Sequence, residues 1–207
     1  MLAGVNGAGK SSVAGAMLRS AGGEYYNPDE VTRRIIEENP GIDPVEANSL
    51  AWLQGKAGLE RAIAENSDYN FETTLGANTI SALLMEAAKK GMAVKVWFVG
   101  LASVEHHLRR VAGRVAAGGH DIPAAKIRER WDNSRLNLIR LLPHLGELAL
   151  WDNTTEADFD RTSPQPVLLL HLQDGMIVAP KNFAATPAWA KPIVAAAIKQ
   201  IGGFRTT

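Results

Sequence analysis

The 207-residue sequence predicts a three-layer α/β/α fold on a mainly parallel central sheet. Three observations carry that expectation. Short apolar stretches alternate with loops and helical patterns through residues 1–150, the order that parallel crossover connections produce. Residues 94–101 form a continuous β-branched and aromatic run, the pattern of a strand buried on both faces. Polar clusters recur where strands end, at 6–12, 27–29, 72–74 and 152–154, and such folds keep their sites at the carboxyl ends of the strands.

Each element follows from its own pattern. Residues 4–12 read as a loop, and 11–18, with Val13, Met17 and Leu18 apolar among small residues, as the helix it opens. Only Met1, Leu2 and Ala3 precede that loop. A first strand usually has about five residues or more, so the expectation is that the natural chain begins upstream or that this form is less stable. Tyr25 and Tyr26 close a short second strand, and Asn27-Pro28-Asp29 follows as a turn, with Asp29 placed to cap a helix through Val31, Ile35 and Ile36 that ends before Pro40. Residues 48–65 form a further helix on Leu50, Leu53, Leu59, Ala62 and Ile63.

Residues 69–71 form a strand leading into Glu72-Thr73-Thr74, after which 79–90 carries Ile80, Leu83, Leu84 and Ala87 at helical spacing and stops at Gly91. Helices at 104–117 and 124–142 then flank Gly118-Gly119-His120, with Pro123 at a helix start and Pro143 at the break. Residues 148–151 are the next strand. A hairpin of 167–172 and 176–179 turns at Asp174-Gly175, and 189–201 is a closing helix. The expected division is a core of 1–160, with 104–142 as a helical lid, and a hairpin plus helix, 161–207, appended to it.

Composition excludes several classes. With 46% hydrophobic and 21% charged residues the chain is not disordered, and 22 Lys plus Arg against 22 Asp plus Glu gives no global field for a nucleic-acid backbone. No cysteine is present, so disulfides, thiolate metal sites and a cysteine nucleophile are excluded, in keeping with a cytoplasmic setting. Apolar runs fall short of the ~20 residues a bilayer span needs, and three residues before the first loop leave no room for a signal peptide. Neither a membrane nor a nucleic-acid partner is expected.

The sharpest motif is Gly4-Val5-Asn6-Gly7-Ala8-Gly9-Lys10-Ser11, a full match to the P-loop pattern, with a helix following at once. Its glycines let successive N–H groups surround a phosphate, to which the helix N-terminus adds its positive end. Lys10 then bridges β- and γ-phosphates, and the Ser11 hydroxyl ligates Mg²⁺. The expected nucleotide-binding set is Gly4, Asn6, Gly7, Ala8, Gly9, Lys10, Ser11, Ser12 and, at a later strand end, Asn153. On the predicted sheet this makes the fold P-loop NTPase-like, of the nucleotide-kinase kind.

A P-loop says nucleotide rather than reaction. No Asn-Lys-x-Asp motif is present, and the strand at 94–101 does not end in an acid, which disfavours a GTPase or a mechanical ATPase. Asp29, after the second strand, suits a base that accepts a hydroxyl proton, although a helix cap explains it as well. Glu72, Thr73 and Thr74, with Asn27, suit contacts to a hydroxyl-rich acceptor, or simply a polar turn into a helix. Between Glu105 and Arg140 there are eight Lys or Arg against four acids. Solvated helix faces account for most of them, but Arg114, Arg128 and Arg130 around the Gly118-Gly119 hinge suit a closing lid that neutralises a transferring phosphoryl group. Arg128 and Arg130 lie on different faces of their helix, so one of the two is expected to point at the phosphates.

Taken together these segments resemble the zeta-toxin family of P-loop kinases. The likeness rests on the P-loop, Asn27-Pro28-Asp29, Phe71-Glu72-Thr73-Thr74-Leu75, Phe98-Val99-Gly100-Leu101, the lid segment 114–123 running into 127–131, Asn137-Leu138 and Trp151-Asp152-Asn153. It covers roughly the first three quarters of the chain. It implies Mg²⁺-dependent phosphorylation, from ATP or GTP, of a sugar nucleotide such as UDP-N-acetylglucosamine, with an antitoxin protein as partner. Asp29 would be the base, Lys10 and Ser11 the phosphate and Mg²⁺ anchors, Glu72 and Thr74 substrate contacts, and the arginines near the hinge the clamp. The C-terminal hairpin and helix have no match in the long toxins, which leaves other acceptors open: a nucleoside, a sugar acid or an RNA end. From another class, a non-catalytic nucleotide-dependent binding module would need no base.

Overall fold

A computed structural model of the chain describes residues 1–15, 18–19, 22–119, 121–155 and 165–203. In chain order they form β1 (Leu2–Ala3), a π-helical turn (Ser11–Gly15), α1 (Pro28–Glu38), α2 (Pro44–Glu65), β2 (Glu72–Thr73), α3 (Asn78–Lys89), β3 (Lys95–Gly100) and α4 (Val104–Ala116). Then come α5 (Ala124–Leu141), a short 3-10 turn (Leu142–His144), β4 (Glu147–Asp152), β5 (Val167–Gln173), β6 (Met176–Ala179) and α6 (Lys191–Gly203). Met17 of the expected first helix, and His120 beside the hinge, lie outside the described residues.

One sheet runs through the molecule in the order β2-β1-β3-β4-β5-β6. The β2-β1-β3-β4 part is parallel, and β5 and β6 continue it antiparallel. This is the expected three-layer α/β/α architecture with a mostly parallel core. The hairpin β5-β6 is part of that sheet, because Val167–Gln173 pairs along all of β4. Helix α6 and the turn before it enter the same core. Trp189, Ala190, Ile193, Val194 and Ala197 are buried in one cluster with Ala3, Phe98, Leu138 and Leu150.

Strand β1 has two residues yet lies between β2 and β3. Its backbone is held on both sides: Leu2 N–H donates to Phe71 O at 2.9 Å, and Trp97 N–H donates to Met1 O at 3.0 Å. Leu2, Ala3 and Val5 are buried. In β3, Val96 and Phe98 face the main core while Val99 packs with Leu2 and Ala8 on the other side, as an apolar run without alternation requires.

Several boundaries differ from the expectations. The second strand reduces to a single parallel bridge between Tyr26 and Phe71, because the next residue, Asn27, already caps α1. The strand expected at 69–71 falls instead at Glu72–Thr73. Helix α2 begins at Pro44, not at 48, because the Asp43 side chain accepts from the N–H groups of Val45 and Glu46 and Pro44 suits the first helical position. The closing helix begins at Lys191, two residues after Trp189, whose indole is buried. Among the described residues no helix is long and apolar enough to cross a membrane.

Candidate active site

The P-loop packs so closely that its glycines are obligatory. Gly4 has φ +140°, and a Cβ there would lie 2.2 Å from Val99 O; Gly9, at φ +87°, would place one 2.5 Å from Asn153 Nδ2. Asn153 itself donates from Nδ2 to Ala8 O at 2.9 Å, and its N–H reaches Gly100 O. The end of β4 therefore braces the loop from behind. Arg110, which no motif singles out, donates to Asn153 O at 2.8 Å and so ties α4 to that brace. The loop leads into a turn closed by Gly15 N–H on Lys10 O, five residues back. Ser12 Oγ donates to Gly9 O at 3.1 Å, on the exposed side of the loop.

Lys10 is buried at 7% exposure, and its Nζ lies 3.4 Å from Oε1 of Glu72, itself 8% exposed. The other Glu72 oxygen accepts from Ser11 Oγ at 2.8 Å. Glu72, expected as a substrate contact, is thus seated on the motif's own lysine and serine. Two hard oxygens, the Ser11 hydroxyl and the Glu72 carboxylate, stand side by side there, which is a donor set that fits Mg²⁺. No group of three or more His, Cys, Asp or Glu that could hold a metal occurs among the described residues.

A cavity of about 480 Å³ opens over this pair. Asn6, Lys10, Asp29, Glu72, Thr73, Thr74 and Arg130 line it, so residues from the P-loop, α1, β2 and the turn after it, and α5 meet in one space. Asp29 is half-exposed and ion-paired with Arg114 at 3.5 Å. The cap of α1 is Asn27, whose Oδ1 accepts from Asp29 N–H at 3.0 Å and whose Nδ2 donates to Glu30. Asp29 is therefore not the cap, and its carboxylate is left for the cavity. Asn27 does not line the cavity; it is buried, with its side chain committed to the helix start.

The two candidate lid arginines on α5 separate as their spacing implies. Arg130 is on the cavity side, where its Nη1 donates to Asn6 Oδ1 at 2.7 Å and burial lowers its pKa. Arg128 turns outward and pairs with Glu105 at 3.2 Å, both side chains more than half exposed. The expectation that Arg128 joins a phosphate clamp is corrected: residues two apart on a helix do not share a face.

The turn after β2 is built rather than loose. Thr73 Oγ1 accepts from Leu75 N–H at 3.0 Å, Leu75 is buried with φ +54°, and Asn137 Nδ2 donates to Leu75 O at 3.0 Å. Thr73 is thus partly occupied in holding its own turn, while Thr74 stays on the cavity wall. Helix α2 supplies the opposite wall through Val45, Asn48, Trp52 and Lys56, none of them singled out by the sequence. Trp52 keeps 40% exposure. Its exposure was hidden in a helical stripe that also carries core residues.

His107 was missed as well. It is fully buried on α4, and its Nδ1 lies 2.8 Å from Asn6 O. Burial, with the nearby Lys10 and Arg110 charges, pushes its pKa down to about 4. A signal existed: Val104, His107 and Val111 share the apolar stripe of the helix, where a histidine must find a partner.

Residues 1–141 match the family AAA_33, described as an AAA domain. An uncharacterised protein of Haemophilus influenzae strain Rd is 29% identical over 129 residues, 62% of this chain and 88% of that one. Among solved structures, the AvrRxo1-ORF1:-ORF2 complex with ATP superposes with a TM-score of 0.62 at 16% identity, covering 95% of this chain. This chain spans 62% of that one's length. A structure of the PezAT chromosomal toxin-antitoxin system of Streptococcus pneumoniae gives a TM-score of 0.50 at 14% identity, covering 100% of this chain and 86% of that one. At these identities the likeness is one of fold.

Proposed function

The chain belongs to the AAA domain family AAA_33, and from that premise we propose that it is a P-loop kinase that transfers the γ-phosphoryl group of ATP or GTP to a hydroxyl of a sugar nucleotide. The observation that carries this reading is one cavity shared by the P-loop Lys10, the carboxylates of Asp29 and Glu72, and Arg130. A pure nucleotide sensor has no use for a half-exposed carboxylate across that cavity from its P-loop. UDP-N-acetylglucosamine is the acceptor we put first, on the resemblance to zeta toxins, and the fold shared with a toxin-antitoxin protein favours an antitoxin partner.

In this mechanism the P-loop amides and the Lys10 ammonium bind the β- and γ-phosphates. Ser11 and Glu72 would hold Mg²⁺, which when bound offsets charge on the phosphate oxygens. Asp29 takes the proton of the acceptor hydroxyl as its oxygen attacks the γ-phosphorus, and the bond to the β–γ bridging oxygen breaks, releasing the nucleoside diphosphate. Arg114 orients Asp29, and Arg130 neutralises charge on the transferring group. Thr74 and the α2 wall contact the acceptor. Residues 1–160 carry the kinase machinery, with 104–142 as its lid, and the hairpin β5-β6 with α6 completes its sheet and core.

The direct test is incubation with Mg-ATP or Mg-GTP and UDP-N-acetylglucosamine, followed by mass spectrometry. A mass gain of one phosphate on the sugar nucleotide is expected. No gain on any member of a sugar-nucleotide panel overturns the acceptor; no transfer to any of a broad set of hydroxyl acceptors overturns the kinase.

A further inference from the structure

Neither the motif nor the chemistry above uses His107, yet it is the polar side chain most completely buried beside the P-loop, at 0% exposure. Its Nδ1 faces the Asn6 carbonyl oxygen at 2.8 Å. A carbonyl oxygen only accepts, so Nδ1 carries the proton and the ring is held in one tautomer. The other nitrogen, Nε2, is buried without a hydrogen-bond partner among the described residues. The ring rests against Trp131, with centroids 5.3 Å apart and planes tilted by 60°.

That orphan nitrogen is costly, since a buried polar atom left unpaired loses its hydration with nothing in exchange. A phenylalanine would fill the same space without it. What the histidine alone adds is one N–H aimed at the Asn6 carbonyl. Asn6 and Gly7 share a trans peptide, in which the C=O and N–H point in opposite directions. A carbonyl drawn toward α4 therefore turns the Gly7 N–H away from α4. Gly7 is pinned there too: its φ is +81°, and a Cβ would meet His107 O at 2.9 Å and Val111 Cγ2 at 3.3 Å. The Asn6 side chain meanwhile accepts from Arg130 on α5. One residue of the loop is thus gripped by two helices, at its backbone by α4 and at its side chain by α5.

We propose that His107 is a positioning residue of the phosphate site, whose Nδ1–H orients the Asn6–Gly7 peptide so that the Gly7 N–H is presented to the phosphate chain of a bound nucleotide. This rests on the reading of the P-loop as a nucleotide site.

ADP titrations, without any acceptor, on the wild type, His107→Phe and His107→Asn test it, with melting temperatures recorded for each. Phenylalanine keeps the ring against Trp131 and removes the N–H. Asparagine removes the ring but sets its amide Nδ2 where the imidazole Nδ1 stands. The expected result is that His107→Phe binds ADP about tenfold more weakly, the worth of one directed hydrogen bond, and that His107→Asn stays within about threefold of the wild type even if it melts lower. Affinity then follows the N–H and not the stability. The opposite order, or ADP affinities that track the melting temperature in both variants, overturns the proposal. A wild type that binds no ADP brings down the nucleotide reading and this proposal together. A wild type that binds ADP but phosphorylates nothing brings down the kinase reading alone and leaves the His107 comparison valid.

Discussion

Lys10 and Glu72, sixty-two positions apart in the chain, form a buried ion pair with Nζ 3.4 Å from Oε1, and the other oxygen of the same carboxylate takes the Ser11 hydroxyl. One carboxylate from β2 thus holds both functional side chains of the P-loop.

Removing that carboxylate leaves a buried ammonium without its counter-charge. Glu72→Ala is expected to lose about 3–5 kcal/mol of stability, while Glu72→Gln, which keeps an acceptor for Ser11, loses less. Urea unfolding of the three proteins without nucleotide measures it; an unchanged midpoint for Glu72→Ala would show that Lys10 does not depend on this pair.

Asp29 is free of capping duty because Asn27 caps α1. Asp29→Asn is therefore expected to keep ADP affinity within about threefold and its melting temperature nearly unchanged, while phosphoryl transfer falls by about 10²-fold or more. Turnover at the wild-type rate removes Asp29 from the mechanism.

The two α5 arginines separate in the same way. Arg128→Ala breaks only an exposed pair with Glu105, worth about 0–1 kcal/mol, and should leave transfer within about twofold. Arg130→Ala removes a cavity-facing cation and the side-chain partner of Asn6, so transfer should drop by about 10²-fold. Equal effects of the two substitutions, in steady-state assays at saturating nucleotide, contradict the assignment.

His107 also sets a pH dependence. Its folded pKa of about 4 lies below the ordinary 6.5, so between those values the unfolded chain binds the extra proton and the folded chain does not. Its contribution is complete above pH 6.5 and shrinks as the pH falls toward 4, by about 2 kcal/mol at pH 5. Unfolding free energies at pH 7 and pH 5 should fall by that much more for the wild type than for His107→Asn. Equal losses in both proteins mean that His107 takes up its proton in the folded state.

Much of this was legible because it is local. The P-loop spacing, the helical and strand periods, the Asn27-Pro28-Asp29 turn and the order of elements lie within short windows of sequence, and the mainly parallel sheet they predict is observed. Where the sequence erred, two local solutions competed. Asn27 and Asp29 are both good caps, and the one just before Pro28 won because proline belongs in the first helical turn. Asp43 with Pro44 did the same four residues ahead of the expected start of α2.

The sequence by itself therefore determined the phosphate-binding loop, the α/β alternation, the carboxylates at the strand ends and the arginines of the helical lid segment. Only the tertiary structure decided which of them meet. Arg130 reaches Asn6 across 124 positions, His107 reaches the same residue across 101, and Glu72 reaches Ser11 across 61. Contacts at such separations leave no period in the chain, because they are set by how the helices cross the sheet. The same reason made the C-terminal hairpin look like an addendum. Its pattern is that of an ordinary hairpin, and only pairing along β4, with Trp189 buried against the sheet, makes it part of the core.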